Sequence, residues 1–264
     1  MSIVLSGLYR YPVKSLRGER LASMQVDARG LLYDRHWMLV DEESRFLTQR
    51  ELPRMALVRP RIEESGLVLG APGMPDLQLQ ADSREALQVQ IWRDLCTARV
   101  MSRRADQWLS KFLDTPCRLV YLPQEQVRRV DQDYAQREDQ VGFADGFPFL
   151  LISRASLGDL NRRMGRSLPM ERFRPNLVVE GCEAYAEDGW KRIRIGDLEF
   201  RVVKPCSRCA IPTVDPETGE RRGKEPLKTL ATYRKQGNNV YFGQNLIHDA
   251  QGWLQTGLPV EVLE

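Results

Sequence analysis

Apolar and polar residues alternate with a period of two along many short stretches of this chain. The alternation is regular at residues 77–81, which begin Leu-Gln-Leu-Gln, and at residues 87–92, which begin Leu-Gln-Val-Gln-Ile. A period of two is typical of half-buried β-strands, whereas the apolar run from Trp37 to Val40 predicts a buried strand. Further strands are predicted over residues 3–11, 67–69, 96–100, 117–121, 198–203 and 260–263.

Helical spacing of apolar residues occurs in only a few stretches. Residues 103–113 place their apolar side chains on one face, and Ser102 is suited to cap the first turn. A second helix is predicted after Ser153 and ends at Gly165, and a third begins at Pro226. Many strands and few helices predict an α+β fold that is mainly antiparallel β, with a barrel-like core in the second half.

Polar and charged residues dominate between positions 123 and 140, where few residues could join a core. Because basic and acidic side chains are mixed there, we interpret this segment as a solvated connector. We therefore expect an N-terminal β-rich domain over residues 1–122 and a second, barrel-like domain over residues 123–264.

Composition and charge narrow the classes of partner. The chain has 264 residues, of which 42% are hydrophobic, and this content predicts a packed core. A net charge of +3 is too small to favour a nucleic-acid polymer as the partner. The five cysteines are odd in number and widely spread, which does not indicate a disulfide framework. No apolar run approaches the ~20 residues of a membrane helix and no signal peptide is evident, so we expect a cytoplasmic protein without a membrane partner.

The most distinctive chemistry lies in a short stretch that contains two cysteines. Pro205 is expected to end the strand predicted over residues 198–203, because proline cannot donate to a sheet ladder. Cys206 and Cys209 would then lie in a loop just beyond the strand, with Arg208 between them. Loops fixed by a rigid scaffold commonly carry binding and catalytic groups.

The spacing of Cys206 and Cys209 is compatible with several kinds of site. A structural zinc site needs four ligands, but the other cysteines are scattered and the only histidines are His36 and His248. A thioredoxin-like redox pair opens a helix, and residues 210–212 do not resemble a first helical turn. Two surface cysteines without a function are a third interpretation. A metal site with one thiolate ligand, completed by a cofactor, is the fourth.

Three segments around these cysteines resemble the MOSC family. They are residues 205–209 (Pro-Cys-Ser-Arg-Cys), 213–219 (Thr-Val-Asp-Pro-Glu-Thr-Gly) and 224–227 (Lys-Glu-Pro-Leu). Within the family, the match is to the molybdenum-cofactor-binding reductases of the amidoxime-reducing group. The resemblance implies the molybdenum cofactor, Mo-molybdopterin, with Cys209 as the molybdenum ligand and catalytic residue. It does not carry Cys206 over as a ligand.

Further motifs of the same family recur in order along nearly the whole chain. They include Tyr-Pro-Val-Lys-Ser at residues 11–15, Asp-Arg-x-Trp at 34–37, Arg-x-Asn at 174–176 and Phe-Gly-Gln at 242–244. The resemblance implies nine cofactor-binding residues: Lys14, Ser15, Arg35, Asp145, Arg174, Asn176, Ser207, Arg208 and Asn245.

The side chains of this set suit an anionic cofactor. Ammonium, hydroxyl and guanidinium groups can all hold a phosphate oxygen, and an amide can bind the edge of a pterin ring. Lys14, Arg35 and Arg174 each lie at a predicted strand edge. We therefore expect these three cations to converge on one pocket with Cys209, although they are far apart in sequence.

The resemblance implies a reductase that removes oxygen from N-hydroxylated compounds, namely hydroxylamines, N-hydroxylated bases and amidoximes. The plant-type cluster spacing C-x4-C-x2-C is absent, so electrons are expected from a separate donor protein of the ferredoxin or flavoprotein type. A non-enzymatic carrier of the cofactor would need the same binding residues. A sulfur-transfer protein with a persulfide on Cys209 is a further alternative. The mitochondrial members of the family carry N-terminal targeting sequence, whereas this chain begins directly in a predicted strand. We therefore expect a bacterial, cytoplasmic protein.

Overall fold

Strands provide most of the regular structure in the computed structural model, which describes residues 2–81 and 83–264. The strands are β1 Val4–Arg10, β2 Glu19–Leu21, β3 Ser23–Asp27, β4 Gly30–Leu31, β5 Trp37–Val40, β6 Arg59–Glu63, β7 Gly66–Ala71, β8 Met74–Leu79, β9 Ala86–Ile91, β10 Asp94–Val100, β11 Arg118–Tyr121, β12 Phe149–Ser153, β13 Leu177–Glu180, β14 Arg192–Ile195, β15 Leu198–Ser207, β16 Lys235–Gln236, β17 Asn239–His248, β18 Gly252–Gln255 and β19 Val260–Val262. The α-helices are α1 Arg103–Leu113, α2 Arg154–Met164 and α3 Leu227–Ala231. Short 3-10 helices span Pro53–Leu57, Met170–Phe173, Ala186–Gly189 and Ile211–Thr213.

The largest sheet belongs mainly to the second half of the chain and curves as a half-barrel. Its strand order is β19-β14-β15-β17-β12-β13-β1-β2, and β16 pairs with β17 beside this path. Every pairing in it is antiparallel except that of β12 with β13. Its inner face buries a cluster that includes Leu5, Phe149, Leu177, Phe200 and Leu246. The predicted α+β fold with mainly antiparallel β-structure is therefore confirmed.

Three smaller sheets complete the structure, in the orders β5-β11-β10-β9, β18-β3-β4 and β6-β7-β8. Helix α1 packs its apolar face into the core of the first half, where Leu109 meets Leu39 and Leu69 in one cluster. Ser102 caps this helix as predicted, because its Oγ accepts a hydrogen bond from the Ala105 backbone N–H at 3.2 Å.

The first strand of the chain does not stay with the first half. Strand β1 pairs with β13, with Leu8 opposite Leu177 and Val4 opposite Glu180. The chain leaves β1 at Arg10, so the turn that follows lies directly beside the large sheet. This pairing is what brings the predicted Lys14 and Ser15 toward residues of the second half.

One boundary prediction is wrong, because β15 continues through Pro205 to Ser207. Strand β14 faces β15 only as far as Arg201, while β17 continues to pair along the other side. Beyond Val202 the strand is therefore an edge on one side, and proline within sheets is found at such edges. Two bulges, between Val202 and Lys204 and between Pro205 and Ser207, interrupt the regular pairing of β15 with β17 around the proline. Cys206 thus lies within the strand, and only Cys209 lies beyond its end.

The predicted solvated connector over residues 123–140 forms no helix or strand in the described structure, and most of its side chains are exposed. Arg128 and Val130 are exceptions that correct the prediction, because both are buried. Val130 packs with Val141 and Ile247 in a small cluster of its own. The segment is therefore anchored at these two points.

Candidate functional site

One cavity brings together all ten residues that the sequence motifs selected. It lies where β15 and β17 meet the turns after β1 and before β12, so both halves of the chain contribute to its wall. The selected residues that line it are Lys14, Ser15, Arg35, Asp145, Arg174, Asn176, Ser207, Arg208, Cys209 and Asn245. The three expected cations therefore share one cavity with Cys209, and the roles of these residues stay predictions.

The two cysteines differ in their surroundings, although both line the cavity. Cys206 Sγ accepts a hydrogen bond from Arg208 Nη1 at 3.0 Å, and its side chain packs against an apolar cluster that includes Phe242. No comparable contact engages the Cys209 thiol among the described residues. All five cysteines are free. Cys209 is therefore the thiol that is available to a ligand in the cavity.

The alternative sites for a pair of cysteines find little support. Within residues 2–81 and 83–264, no group of three or more His, Cys, Asp or Glu side chains is arranged to hold a metal ion. The pair also lies at the end of a strand, followed only by the short 3-10 helix Ile211–Thr213. A thioredoxin-like thiol is activated by the N-terminus of a longer α-helix, which this position lacks.

Lys14 is buried on the cavity wall and binds the loop before β12. Its Nζ donates to the Phe143 carbonyl at 2.9 Å and to Asp145 Oδ1 at 2.5 Å. Burial lowers the pKa of Lys14, and the Asp145 carboxylate opposes this shift. For Asp145, burial acts to raise the pKa, but the Lys14 ammonium outweighs it and holds the pKa below its usual range. The Asp145 side chain is 57% exposed and keeps much of its hydration, so its contact with Lys14 sets the direction of its pKa shift.

Arg35 is fixed by three hydrogen-bond partners. Its Nη1 donates to Asp34 Oδ2 at 2.5 Å and to Asn176 Oδ1 at 3.0 Å, and its Nη2 donates to the Arg174 carbonyl at 3.3 Å. The guanidinium carbon also lies 4.3 Å from the centre of the Tyr11 ring. These contacts set the direction of the Arg35 charge before any ligand is bound.

Asn176 helps to position Arg35 as well as lining the cavity. Its Oδ1 also accepts from the Leu150 backbone N–H at 3.3 Å, and its Nδ2 donates to the Tyr9 carbonyl at 3.2 Å. The amide is 1% exposed, and these bonds use most of its capacity. Its predicted contact with a pterin edge is therefore left to the remaining N–H of Nδ2.

Arg174 carries a charge that has no carboxylate within ion-pair distance among the described residues. Its Nη1 donates to the Leu16 carbonyl at 2.7 Å, and its guanidinium carbon lies 4.3 Å from the Tyr11 ring centre. Burial and the neighbouring Arg35 lower the pKa of Arg174 to about 10. An anion bound in the cavity would relieve this crowding of positive charge.

Three cavity residues have backbones in the left-handed region, which costs a side-chain-bearing residue roughly 1–2 kcal/mol. The φ angles are 64° for Ser15, 46° for Arg35 and 56° for Arg174. Gly142 makes the close approach to one of them possible, because an added Cβ would lie 2.8 Å from the Arg35 carbonyl oxygen. Strained conformations of this kind cluster at functional sites, where the surrounding fold holds them in place.

The cavity wall has a large excess of positive charge. Its cationic side chains are those of Lys14, Arg35, Arg50, Arg174 and Arg208, and its carboxylate is that of Asp145. Arg208 donates to the Phe173 carbonyl at 2.7 Å, while its buried Nε has no hydrogen-bond partner among the described residues. Cations and an available thiol are the donor set that a phosphate-bearing metal cofactor requires. The residues therefore fit the predicted cofactor.

Comparison with known proteins agrees with this geometry. The family profile described as the MOSC N-terminal beta barrel domain matches residues 2–116, and the profile of the MOSC domain matches residues 138–261. This chain belongs to the MOSC family. The MOSC domain is a molybdenum-cofactor-binding domain, so the family agrees with the cation-lined cavity.

Curated relatives of this MOSC protein match it along most of its length. Mitochondrial amidoxime-reducing component 1 from Homo sapiens is 36% identical over 97% of this chain and 82% of that protein. The Mus musculus protein of the same name is 38% identical over 97% of this chain and 81% of that protein. A crystal structure of the YuaD protein from Bacillus subtilis aligns with 98% of this chain and 94% of that chain. Its TM-score of 0.43 and identity of 12% are too low to support a conclusion.

Thr48 and Arg50 also line the cavity of this MOSC protein, but they were not among the site residues predicted from the sequence. They belong to the segment Phe46–Arg50, in which no strand period or cap indicates a side-chain direction. The Arg50 guanidinium carbon lies 4.5 Å from the centre of the Trp92 ring, and Nε donates to Thr48 Oγ1 at 3.2 Å. The order Phe-Leu-Thr-Gln-Arg at residues 46–50 resembles a further element of the MOSC family, and this resemblance is the sequence signal that could have selected the pair.

No helix within residues 2–81 and 83–264 of this MOSC protein is both long and apolar enough to cross a membrane. The location in a bacterial cytoplasm stays a prediction.

Proposed function

We propose that this MOSC protein is a molybdenum-cofactor-dependent reductase that removes oxygen from N-hydroxylated compounds. Hydroxylamines, N-hydroxylated bases and amidoximes are the substrate classes. The observation that carries the proposal is the available thiol of Cys209 in a cavity with an excess of cations. The printed name of the human and mouse relatives, amidoxime-reducing component, supports this reaction class.

The overall reaction fixes what must be supplied. An N-hydroxylated substrate R–NH–OH takes up two electrons and two protons, its N–O bond breaks, and R–NH2 and water leave. When bound, the cofactor supplies the two-electron redox chemistry. We propose that the electrons come from a separate donor protein of the ferredoxin or flavoprotein type.

The residues of the cavity divide into three groups by their proposed roles. Cys209 provides the soft thiolate that a molybdenum centre accepts as a protein ligand. Lys14, Arg35 and Arg174 hold the anionic groups of the cofactor, and Asp145 keeps the Lys14 ammonium in position. The remaining predicted residues, Ser15, Asn176, Ser207, Arg208 and Asn245, orient the cofactor by hydrogen bonds.

The test uses full-length protein purified from a host that makes the molybdenum cofactor. Molybdenum content is measured by elemental analysis, and amidine formation from an aryl amidoxime is measured by chromatography with a chemical or protein electron donor. We expect about one molybdenum per chain and product that depends on both donor and metal. Bound molybdenum without product would indicate a cofactor carrier. A persulfide on Cys209 in mass spectrometry, without molybdenum, would indicate sulfur transfer.

We also propose that the two functional units divide near residues 122 and 123. The first family profile ends at residue 116 and the second begins at residue 138, and the cluster around Leu109 is built entirely from the first 121 residues. In this arrangement the first unit contributes Lys14, Ser15 and Arg35 to a site whose thiol comes from the second.

A further inference from the structure

Arg50 occupies the outer part of the cavity and differs from the deeper cations. Its guanidinium carbon lies 4.5 Å from the Trp92 ring centre and 5.8 Å from that of Phe46. Trp92 is 44% exposed, whereas Lys14 is 5% exposed. Arg50 is half-buried and lies beside the exposed Trp92, so this part of the wall is closer to solvent than Lys14 is.

Arg50 forms no ion pair within the described part of the chain, although its charge helps to lower the pKa of the nearby Asp145. Lys14 is paired with Asp145 and Arg35 is paired with Asp34, but no carboxylate within residues 2–81 and 83–264 lies within 4.0 Å of the Arg50 guanidinium nitrogens. Its Nε donates to Thr48 Oγ1, and neither Nη group has an acceptor among the residues that the structure describes. A guanidinium with both Nη groups available can bind an oxyanion through two parallel hydrogen bonds.

The position of Arg50 is held from two sides. Trp92 occupies the turn between β9 and β10 with a φ of 56°, and its indole N–H donates to Asp145 Oδ1 at 3.1 Å. The Arg50 carbonyl accepts from Arg221 Nη2 at 2.8 Å. Stacking of a guanidinium on an aromatic ring orients its edges without using its donors. The two Nη groups of Arg50 are thus held in a fixed orientation before any ligand is bound.

We propose that Arg50 determines substrate specificity by binding an anionic oxygen group, a carboxylate or a phosphate, on the N-hydroxylated substrate. Acidic N-hydroxylated compounds are then the preferred class over neutral ones of the same size. This inference rests on the proposed reductase function. The buried cations serve the cofactor, and Arg50 serves the part of the substrate that extends toward solvent.

The experiment compares three aryl amidoximes on cofactor-loaded enzyme: a neutral compound, its para-carboxylate and its para-phosphonate. The measured quantity is the ratio of kcat/KM for each anionic compound to that for the neutral one. In Arg50→Gln we expect this ratio to fall about tenfold, since a charge-assisted hydrogen bond is lost. Arg50→Lys should restore part of the ratio, because the charge returns without the second donor. The carboxylate and phosphonate arms show which oxyanion is preferred.

Arg54→Gln is the matched control, because Arg54 is also stacked on an aromatic ring, 4.7 Å from Phe112, but does not line the cavity. It should leave the ratio unchanged. An unchanged ratio in Arg50→Gln, or a wild-type enzyme without preference for the anionic compounds, would overturn the inference. Loss of molybdenum from Arg50→Gln would also overturn it, by assigning Arg50 to the cofactor.

Calorimetric binding of the same compounds separates this inference from the proposed function. If no compound is reduced but the anionic ones bind tighter in an Arg50-dependent way, the reductase function fails and the subsite stands. If all compounds are reduced equally well and bind equally tightly, the function stands and the subsite fails.

Discussion

The two ends of the cavity are built in opposite ways. The cation layer, defined as Lys14, Arg35 and Arg174, is fixed by hydrogen bonds to carbonyls and carboxylates, and two of its members have left-handed backbones. The cysteine strand end, defined as residues 206–209, begins within β15, whose last paired position is Ser207, and carries Cys209 beyond it. The first region fixes charge before an anion arrives, while the second leaves one thiol without an engaged partner. The site therefore combines a rigid cationic wall with an available thiol.

The largest expected effect concerns the thiol. Cys209→Ala removes the predicted metal ligand, so reduction of an aryl amidoxime should fall below detection. Because the cation layer remains, part of the pterin should stay bound, which fluorescence of the released pterin would measure. Cys206→Ser is the control: it should keep most of the activity and lose ~1 kcal/mol of stability. Two equally inactive variants would instead favour a site that uses both cysteines.

The next effect tests whether the cation layer is built for an anion. Burial and Arg35 lower the pKa of Arg174 to about 10, so its charge is unfavourable in the folded protein without cofactor. Arg174→Gln should therefore raise the melting temperature of cofactor-free protein while lowering cofactor retention by roughly tenfold. The exposed Arg166 provides the control variant Arg166→Gln, which should change neither. A lower melting temperature for Arg174→Gln would contradict the idea of crowded charge.

A smaller effect comes from the support behind the cation layer. Arg128 is buried, and it donates to the Gly142 carbonyl at 2.8 Å and the Ala144 carbonyl at 2.6 Å. It thereby clamps the loop that presents Asp145 to Lys14. Arg128→Gln should lower the free energy of unfolding by about 2 kcal/mol in urea titration. Its exposed neighbour gives the control Arg129→Gln, expected to stay within about 0.5 kcal/mol of wild type.

The smallest effect is pH-dependent and concerns Asp145. Its pKa is lowered in the folded protein, so its ion pair adds stability above the ordinary carboxyl pKa of about 3.9, and this stability is lost as pH falls below that value. Since the side chain is 57% exposed, the contribution at neutral pH should not exceed ~1 kcal/mol. Asp145→Asn should lose that amount at pH 7, and the difference from wild type should shrink as pH falls from the ordinary carboxyl pKa toward the lowered folded-state pKa, measured by urea unfolding. An equal loss at every pH would show a structural cost instead.

Local sequence signals predicted the helices well, because the information lies within each segment. Ser102 and Ser153 accept the expected capping bonds, and Gly165 ends α2 with a φ of 68°. The turn at Gly196 is also determined locally, since two residues join β14 to β15.

Features that depend on distant strands were not predictable in this way. Pro205 stays in a strand because β15 continues to pair with β17 beyond Arg201, where its pairing with β14 stops. Nothing near Pro205 in sequence encodes this difference between the two neighbouring strands. Arg128 turns inward because the loop 142–145 offers it carbonyl acceptors. Arg50 faces the cavity because of the β9–β10 turn that carries Trp92. The site residues themselves were selected through family motifs, which record long-range geometry that periodicity does not.

The pairing of β1 with β13 has a consequence for how the chain is made. Leu8 emerges from the ribosome long before its partner Leu177. Strand β1 therefore cannot pair with β13 until much of the second half has been synthesised. A fragment that contains only the second half would display an open β13 edge, along which other chains could add as strands. Expressing that half alone would therefore favour aggregation, and the two halves are best regarded as one cooperative folding unit.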